Sequence, residues 1–89
     1  MDGKILVTGG AGYVGSHVVV ALAEAGYTPI VLDDFSSASR AVMPRLAALA
    51  GARIDLVEAD VRDLAALRRM FHDQPIVGVV HCAGLKGVG

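Results

Sequence analysis

The residues best placed by type and spacing to do chemistry are glycines. The segment Val7-Thr8-Gly9-Gly10-Ala11-Gly12-Tyr13-Val14-Gly15 satisfies G-x-G-x-x-G through Gly10, Gly12 and Gly15, and G-x-x-G-x-x-G through Gly9, Gly12 and Gly15. Such spacing suits a diphosphate. One glycine makes a tight turn, another lets the backbone approach the ligand, and a third lets a helix pack closely on a strand. The N-terminus of that helix offers free N–H groups and a partial positive charge. Asp33 stands eighteen residues beyond Gly15, close to the spacing of about 20 at which an acid ending the second strand meets a dinucleotide ribose. A carboxylate there accepts hydrogen bonds from ribose hydroxyls and repels a 2′-phosphate. NAD is therefore favoured over NADP, and Arg40 is the only nearby cation that argues otherwise.

The remaining reactive types suggest less. A single cysteine, Cys82, excludes an internal disulfide and a cysteine-rich zinc site, and it reads as a small buried hydrophobe. His17, His72 and His81 have no metal-ligand spacing. His17 reads as structural, His81 as a buried, hydrogen-bonded strand end, and Tyr13 as a packing and backbone contact. With a net charge of −1 and scattered Lys and Arg, there is no basic stripe for nucleic acid.

These residues need elements to position them, and the pattern supplies four strands alternating with three helices. Strand candidates are Lys4 to Thr8, Thr28 to Leu32, Ile54 to Glu58 and Ile76 to Val80. Helix one spans Gly12 to Ala25, with Val14, Val18, Ala21, Leu22 and Ala25 on one face. Gly26 stops it. A weaker helix covers about Arg40 to Leu49 after the capping serines of the Ser36 to Ser39 loop. Pro44 inside it implies a late start or a kink. Asp63 caps a third helix, Leu64 to His72, whose face carries Leu64, Leu67 and Phe71. The order βαβαβαβ implies an α/β fold with a parallel sheet.

Composition agrees. Hydrophobic residues make up 54% of the 89 and mean hydropathy is +0.56, as suits strands covered on both faces. A membrane span is excluded on length: the longest apolar run, Val18 to Ala23, is six residues, against the roughly 20 required. Nothing at the start resembles a signal peptide, so a cytoplasmic location is expected.

Four stretches carry a family resemblance. TGGAGYVGSH (Thr8 to His17) resembles the fingerprint of the extended short-chain dehydrogenases/reductases, the NAD-dependent epimerase/dehydratase family. LDDFSSASR (Leu32 to Arg40) is similar to the ribose-binding loop of its sugar-nucleotide epimerases. EADVRD (Glu58 to Asp63) resembles the adenine-contacting turn, and HCAGLKGVG (His81 to Gly89) resembles the end of strand four in the UDP-glucose 4-epimerase branch. The resemblance runs from end to end of the chain. It implies a Rossmann-like, doubly wound sheet of which about four strands are present.

By that resemblance, Gly9, Gly12 and Gly15 form the diphosphate turn, with backbone contacts from Tyr13 and Val14. Asp33, Asp34, Phe35, Ser36, Ser37 and Ala38 hold the adenosine ribose. Asp60 meets the adenine amino group and Val61 packs near the base. Cys82, Ala83, Gly84, Leu85 and Lys86 pass along the coenzyme. Cys82 replaces the bulkier apolar residue common in the family.

The family's catalytic tyrosine has a lysine four residues later, whose charge lowers the phenol pKa. Neither tyrosine here fits: His17 follows Tyr13 at that spacing, and Val31 follows Tyr27. The resemblance thus implies the N-terminal part of an NAD-binding domain, residues 1–89, without the Tyr-x-x-x-Lys segment or the substrate domain, and so without catalytic residues. The full enzyme would interconvert the C4 epimers of a UDP-hexose through a 4-keto intermediate, as a homodimer. Strand four should then leave apolar surface exposed and invite association. Another sugar-nucleotide epimerase or dehydratase of the family, and a non-catalytic NAD-binding module, stay open.

Overall fold

Every described strand runs the same way. In the computed structural model, which describes residues 3–36 and 38–82, β1 (Lys4–Thr8), β2 (Thr28–Asp33), β3 (Asp55–Glu58) and β4 (Ile76–His81) form one sheet in the order β3-β2-β1-β4. All three pairings are parallel. Three helices make the crossovers: α1 (Tyr13–Glu24), α2 (Val42–Ala50) and α3 (Leu64–Asp73). The expected order and strand boundaries hold to within a residue.

The sheet is covered on both faces, as a doubly wound fold requires. Because strand side chains alternate in direction, Val7 and Val31 point to one face, where they pack with Val19 of α1 and Leu46 of α2. Leu6, Ile30 and Leu32 point to the other, where Met70 and Leu67 of α3 meet them. Residues 29–32 of β2 are all buried, being flanked by strands and roofed twice. Fully burying a side chain such as Leu46 or Met70 stabilises by about 2 kcal/mol. At the N-terminal ends of the strands, the Lys4 ammonium donates to Asp55 Oδ2 at 3.2 Å and Gln74 Oε1 at 2.8 Å, tying β1, β3 and the end of α3 together.

Helix ends follow local chemistry. Gly26 takes φ +92° beyond α1, and the N–H groups of Gly26 and Tyr27 return to the carbonyls of Ala23 and Leu22, closing the helix in the manner that favours glycine. Asp63 caps α3 by accepting from Ala66 N at 3.1 Å. Helix α2 starts late, at Val42, so Pro44 falls in its first turn, where no intrahelical N–H is needed. Its N-cap is Ala41, without a side-chain cap. The loop serine contributes instead from two residues before that cap, Ser39 Oγ accepting from Ala41 N.

Three expectations need correction. The buried face of α1 is centred on Gly15 and Val19, with Val18 and Leu22 beside them, whereas Val14, Ala21 and Ala25 are exposed. The helix is apolar almost all round from Val18 to Ala23, so its rotation is set by Gly15 docking on the glycine turn. In α3, Met70 is the buried residue, and Leu64 and Phe71 are exposed. Lastly, His81 is hydrogen-bonded but not buried. It ends β4, at the sheet's edge, where Val77 and Val79 are also 66% and 51% exposed. The expected exposed apolar surface on strand four is therefore present.

Candidate functional site

The sequence-selected residues come together at the C-terminal ends of the strands. There the backbone must turn between strand and helix, and β1 and β2 open side by side. Thr8 ends β1, and Gly9 takes φ +66°, a conformation that side chains disfavour. Gly9 N–H donates to Leu32 O of the neighbouring strand at 2.7 Å, and Gly9 O accepts from Gly12 N at 3.0 Å. Gly10 lies against Val31, whose two methyl carbons would each be 3.0 Å from any added Cβ. Helix α1 then leaves from Gly12, which supplies no side-chain cap. Its first-turn N–H groups are thus left for an anion. Gly15 is the residue that lets α1 begin so close to the turn: a Cβ there would sit 2.1 Å from Gly9 O.

Asp33 is the centre of the arrangement. Its Oδ2 accepts from Ala11 N at 3.0 Å, inside the glycine turn, and its Oδ1 accepts from Phe35 N at 2.8 Å. One carboxylate therefore joins the turn after β1 to the loop after β2. A carboxylate has about four lone-pair sites, so two remain for vicinal hydroxyls. Phe35 adopts φ +58°, which turns the loop back, and Asp34 Oδ1 accepts from Ser36 N at 2.9 Å. The hydrogen bonds from Ser36 hold the Asp34 carboxyl below its ordinary range.

Beside this lies the end of β3, with Ala59 N–H donating to Asp33 O at 3.1 Å. Asp60 follows. Its carboxylate accepts from Arg62 N at 2.8 Å and from Arg62 Nη2 at 2.8 Å. These bonds lower its pKa from 3.8 to about 2, so it is an acceptor at every working pH. Val61 is half-buried on the α3 face of the sheet. Arg40 reaches across from the loop before α2 and grips Glu58 at the end of β3, its Nε 2.9 Å from Oε1 and its Nη2 against Oε2. The same guanidinium stands 5.1 Å over the Phe35 ring.

On the other flank, Thr8 Oγ1 is 2.7 Å from His81 Nδ1, and Cys82 N–H donates to Thr8 O and Oγ1, both at 3.0 Å. Cys82 is buried, and burial pushes its thiol pKa up. That is the setting of a packing residue rather than a nucleophile. A groove of about 380 Å³ opens between the turn and α2, lined by Ala11, Gly12, Tyr13, Ala38, Val42 and Arg45 among others. Tyr13, at its mouth, is 76% exposed and meets His17 edge to face at 4.7 Å.

Gly9, Gly12, Tyr13, Val14, Gly15, Asp33, Asp34, Phe35, Ser36 and Ala38 thus gather around the ends of β1 and β2, Asp60 and Val61 follow β3, and Cys82 follows β4. Ser37, Ala83, Gly84, Leu85 and Lys86 lie outside the described residues. The arrangement can bind a diphosphate at the helix terminus and a diol at Asp33. Among the described residues no cluster of His, Cys, Asp and Glu could hold a metal ion. Sequence reading missed the Arg40–Glu58 fork, the Arg62 hold on Asp60 and the place of Arg45 in the groove. The Arg40–Glu58 fork joins residues eighteen apart and leaves no mark in local spacing, whereas the Asp60–Arg62 pair, two residues apart, was there to be read as a turn contact.

Comparison with known proteins gives consistent findings. The family model described as "NAD dependent epimerase/dehydratase family" matches residues 5–89. UDP-glucose 4-epimerase from Bos taurus is 48% identical over 95 residues, covering 100% of this chain and 27% of that protein. The Neisseria gonorrhoeae enzyme of the same name is 44% identical over 85 residues, 96% of this chain and 25% of that one. Among solved structures, UDP-glucose-4-epimerase from Stenotrophomonas maltophila, with bound NAD and formylated UDP-arabinopyranose, superposes with TM-score 0.90 at 36% identity over 97% of this chain and 26% of its own. The Bifidobacterium longum enzyme in complex with NAD+ and UDP gives 0.89 at 37% identity, over 97% and 26%. The chain spans about a quarter of the length of these relatives.

Proposed function

The chain belongs to the NAD-dependent epimerase/dehydratase family, and on that premise we propose that its 89 residues form the coenzyme-binding portion of a UDP-glucose 4-epimerase. The whole protein would act in galactose metabolism, in the cytoplasm and as a homodimer, on a UDP-hexose. Bound NAD would supply a nicotinamide that takes hydride from C4 of the sugar and returns it to the other face. This chain's own residues bind and orient. The uncapped first turn of α1 and the backbone of Gly9 to Gly12 receive the diphosphate, Asp33 accepts from the ribose hydroxyls, and Asp60 offers a permanently ionised acceptor beside the base. Neither tyrosine is followed by lysine at the fourth place, so proton transfer at the sugar hydroxyl is assigned to residues beyond this segment. By itself the segment should be catalytically silent. Among the described residues no helix is long and apolar enough to cross a membrane.

The observation that carries this reading is the Asp33 carboxylate, held between Ala11 N and Phe35 N with acceptor capacity to spare. Gly15 supports the same reading, because its missing Cβ lets α1 begin against the Gly9 turn. The test is calorimetric titration of the purified chain with NAD and NADP, with Asp33→Ala alongside. Saturable NAD binding, weaker for NADP and about tenfold weaker in Asp33→Ala, is expected from the loss of charge-assisted hydrogen bonds. A chain that circular dichroism shows to be folded, yet that binds neither nucleotide, would overturn the reading for this segment.

A further inference from the structure

Arg40 is the cation that, from sequence, argued for a 2′-phosphorylated coenzyme, and the structure shows it already occupied. Its guanidinium forks onto Glu58 through Nε and Nη2, the geometry in which arginine binds a carboxylate best. Glu58 is the direct register partner of Asp33 across β2 and β3. Paired residues of neighbouring strands lie about 4.8 Å apart and point to the same face, so Glu58 stands one strand spacing from the residue proposed to hold the ribose. The Arg40 guanidinium also stands over Phe35, whose N–H is bound by Asp33. The hydrogen bonds hold the Glu58 carboxyl below its ordinary range and push the guanidinium further up, so both are charged throughout the neutral range.

We infer that Glu58 is a coenzyme-selectivity residue: by engaging Arg40 it withholds a cation beside the ribose that could neutralise a 2′-phosphate. This rests on the nucleotide reading given above and deepens it. Around the adenosine end stand Asp33, Asp34, Glu58 and Asp60 against Arg40 and Arg62, and each arginine is spent on one acid. Among the described residues neither Asp33 nor Asp34 has an arginine paired with it, so both carboxylates would oppose a phosphate dianion brought to this end. Asp33 repels it directly; Glu58 acts through Arg40. Removing the Glu58 charge changes the balance twice over, deleting a negative group and releasing a positive one within reach.

The experiment measures NAD and NADP dissociation constants by calorimetry for the purified chain and for Glu58→Gln, with the double variant Arg40→Gln/Glu58→Gln as reference. Glu58→Thr, a residue that suits a strand, removes the charge a second way. The expected result is a narrowing of the NAD to NADP preference by about tenfold in Glu58→Gln, the size of one charge-assisted hydrogen bond, with NAD itself little changed. The double variant should lose most of that gain, and 0.5 M salt, where screening acts within about 4 Å, should shrink it. An unchanged preference in both Glu58 variants, or a gain that survives loss of Arg40, overturns the inference while leaving the nucleotide site intact. NAD binding lost in the Glu58 variants would make the fork a brace for the loop and overturn it also. Absence of NAD binding by the folded parent chain overturns the nucleotide reading, and this inference with it.

Discussion

Replacing Gly15 by alanine sets a helix-propensity gain against a backbone clash, and the distances decide between them. Alanine is favoured over glycine inside a helix by up to about 1 kcal/mol. The Cβ it would add lies 2.1 Å from Gly9 O and 2.8 Å from both Gly9 C and Gly10 Cα. A carbon approaches a carbonyl oxygen no closer than about 3.3 Å in ordinary contact, so turn and helix must separate by about 1 Å. Gly9 has nowhere to go: its N–H is held by Leu32 O at 2.7 Å and its carbonyl by Gly12 N at 3.0 Å. Overpacking of this kind costs about 3 kcal/mol where the neighbour is backbone, leaving a net loss of about 2 kcal/mol. A chain this long has a total stability of about 5 kcal/mol. With a urea slope of about 1 kcal/mol/M, the unfolding midpoint should fall by roughly 2 M, read by far-ultraviolet circular dichroism. Gly12→Ala is the control, since its Cβ would meet only Gly9 O, at 3.3 Å, and its midpoint should fall by much less. A Gly15→Ala midpoint at or above that of the parent chain would refute the clash. Equal shifts for the two variants would show that the close approach is not what fixes α1.

Other perturbations give equally definite outcomes. Asp63→Ala removes the acceptor for Ala66 N and should cost about 1 kcal/mol, visible as a lower urea midpoint; no change would mean the cap is silent. The Asp60 carboxyl titrates at about 2 when folded, against 3.8 ordinarily. The unfolded chain therefore takes up the proton first, and the stability from this group, complete well above pH 3.8, is lost as pH falls through 3.8 toward 2. Thermal melts of Arg62→Gln across that window should show a shallower acid limb than the parent, and identical limbs would count against the pairing. Cys82, buried with its thiol pKa raised, should resist iodoacetamide at neutral pH and react at once in urea. Rapid labelling of the folded chain would show that Cys82 is not packed into the core with Val7 and Val19.

Much of this was legible in the residues because the strong signals are local. The runs Ile5-Leu6-Val7 and Ile30-Val31-Leu32 could only be doubly covered strands, and a glycine turn between the first of them and a helix has one common use. Gly26, Pro44 and Asp63 punctuate helices by backbone chemistry that needs no tertiary context. Helix rotation was not legible. From Val18 to Ala23 no polar residue marks an outside, and in α3 the choice between Met70 and Phe71 is made by the sheet beneath. Nor was the environment of His81, whose exposure depends on what lies over the edge strand. The Arg40–Glu58 fork is a product of register: only after Asp33 pairs with Glu58 does a residue eighteen positions away in sequence become a neighbour.

The strand order also imposes a sequence of events on synthesis. β1 is central, yet its two neighbours are made at very different times. β2 can pair with it once Asp33 has emerged, and the Asp33 bond to Ala11 then joins the glycine turn to the end of β2. The other edge of β1 stays open until residues 76–81 have been added, because its partner there is β4. Closing Thr8 onto His81, 73 positions away, carries only a modest extra entropic cost over a short loop, but it cannot begin early. During that interval the unpaired edge of β1 is the chain's main liability to pairing with the wrong strand. The two flanks of β1 are born one after the other, the glycine-turn and Asp33 side first and the His81 side last.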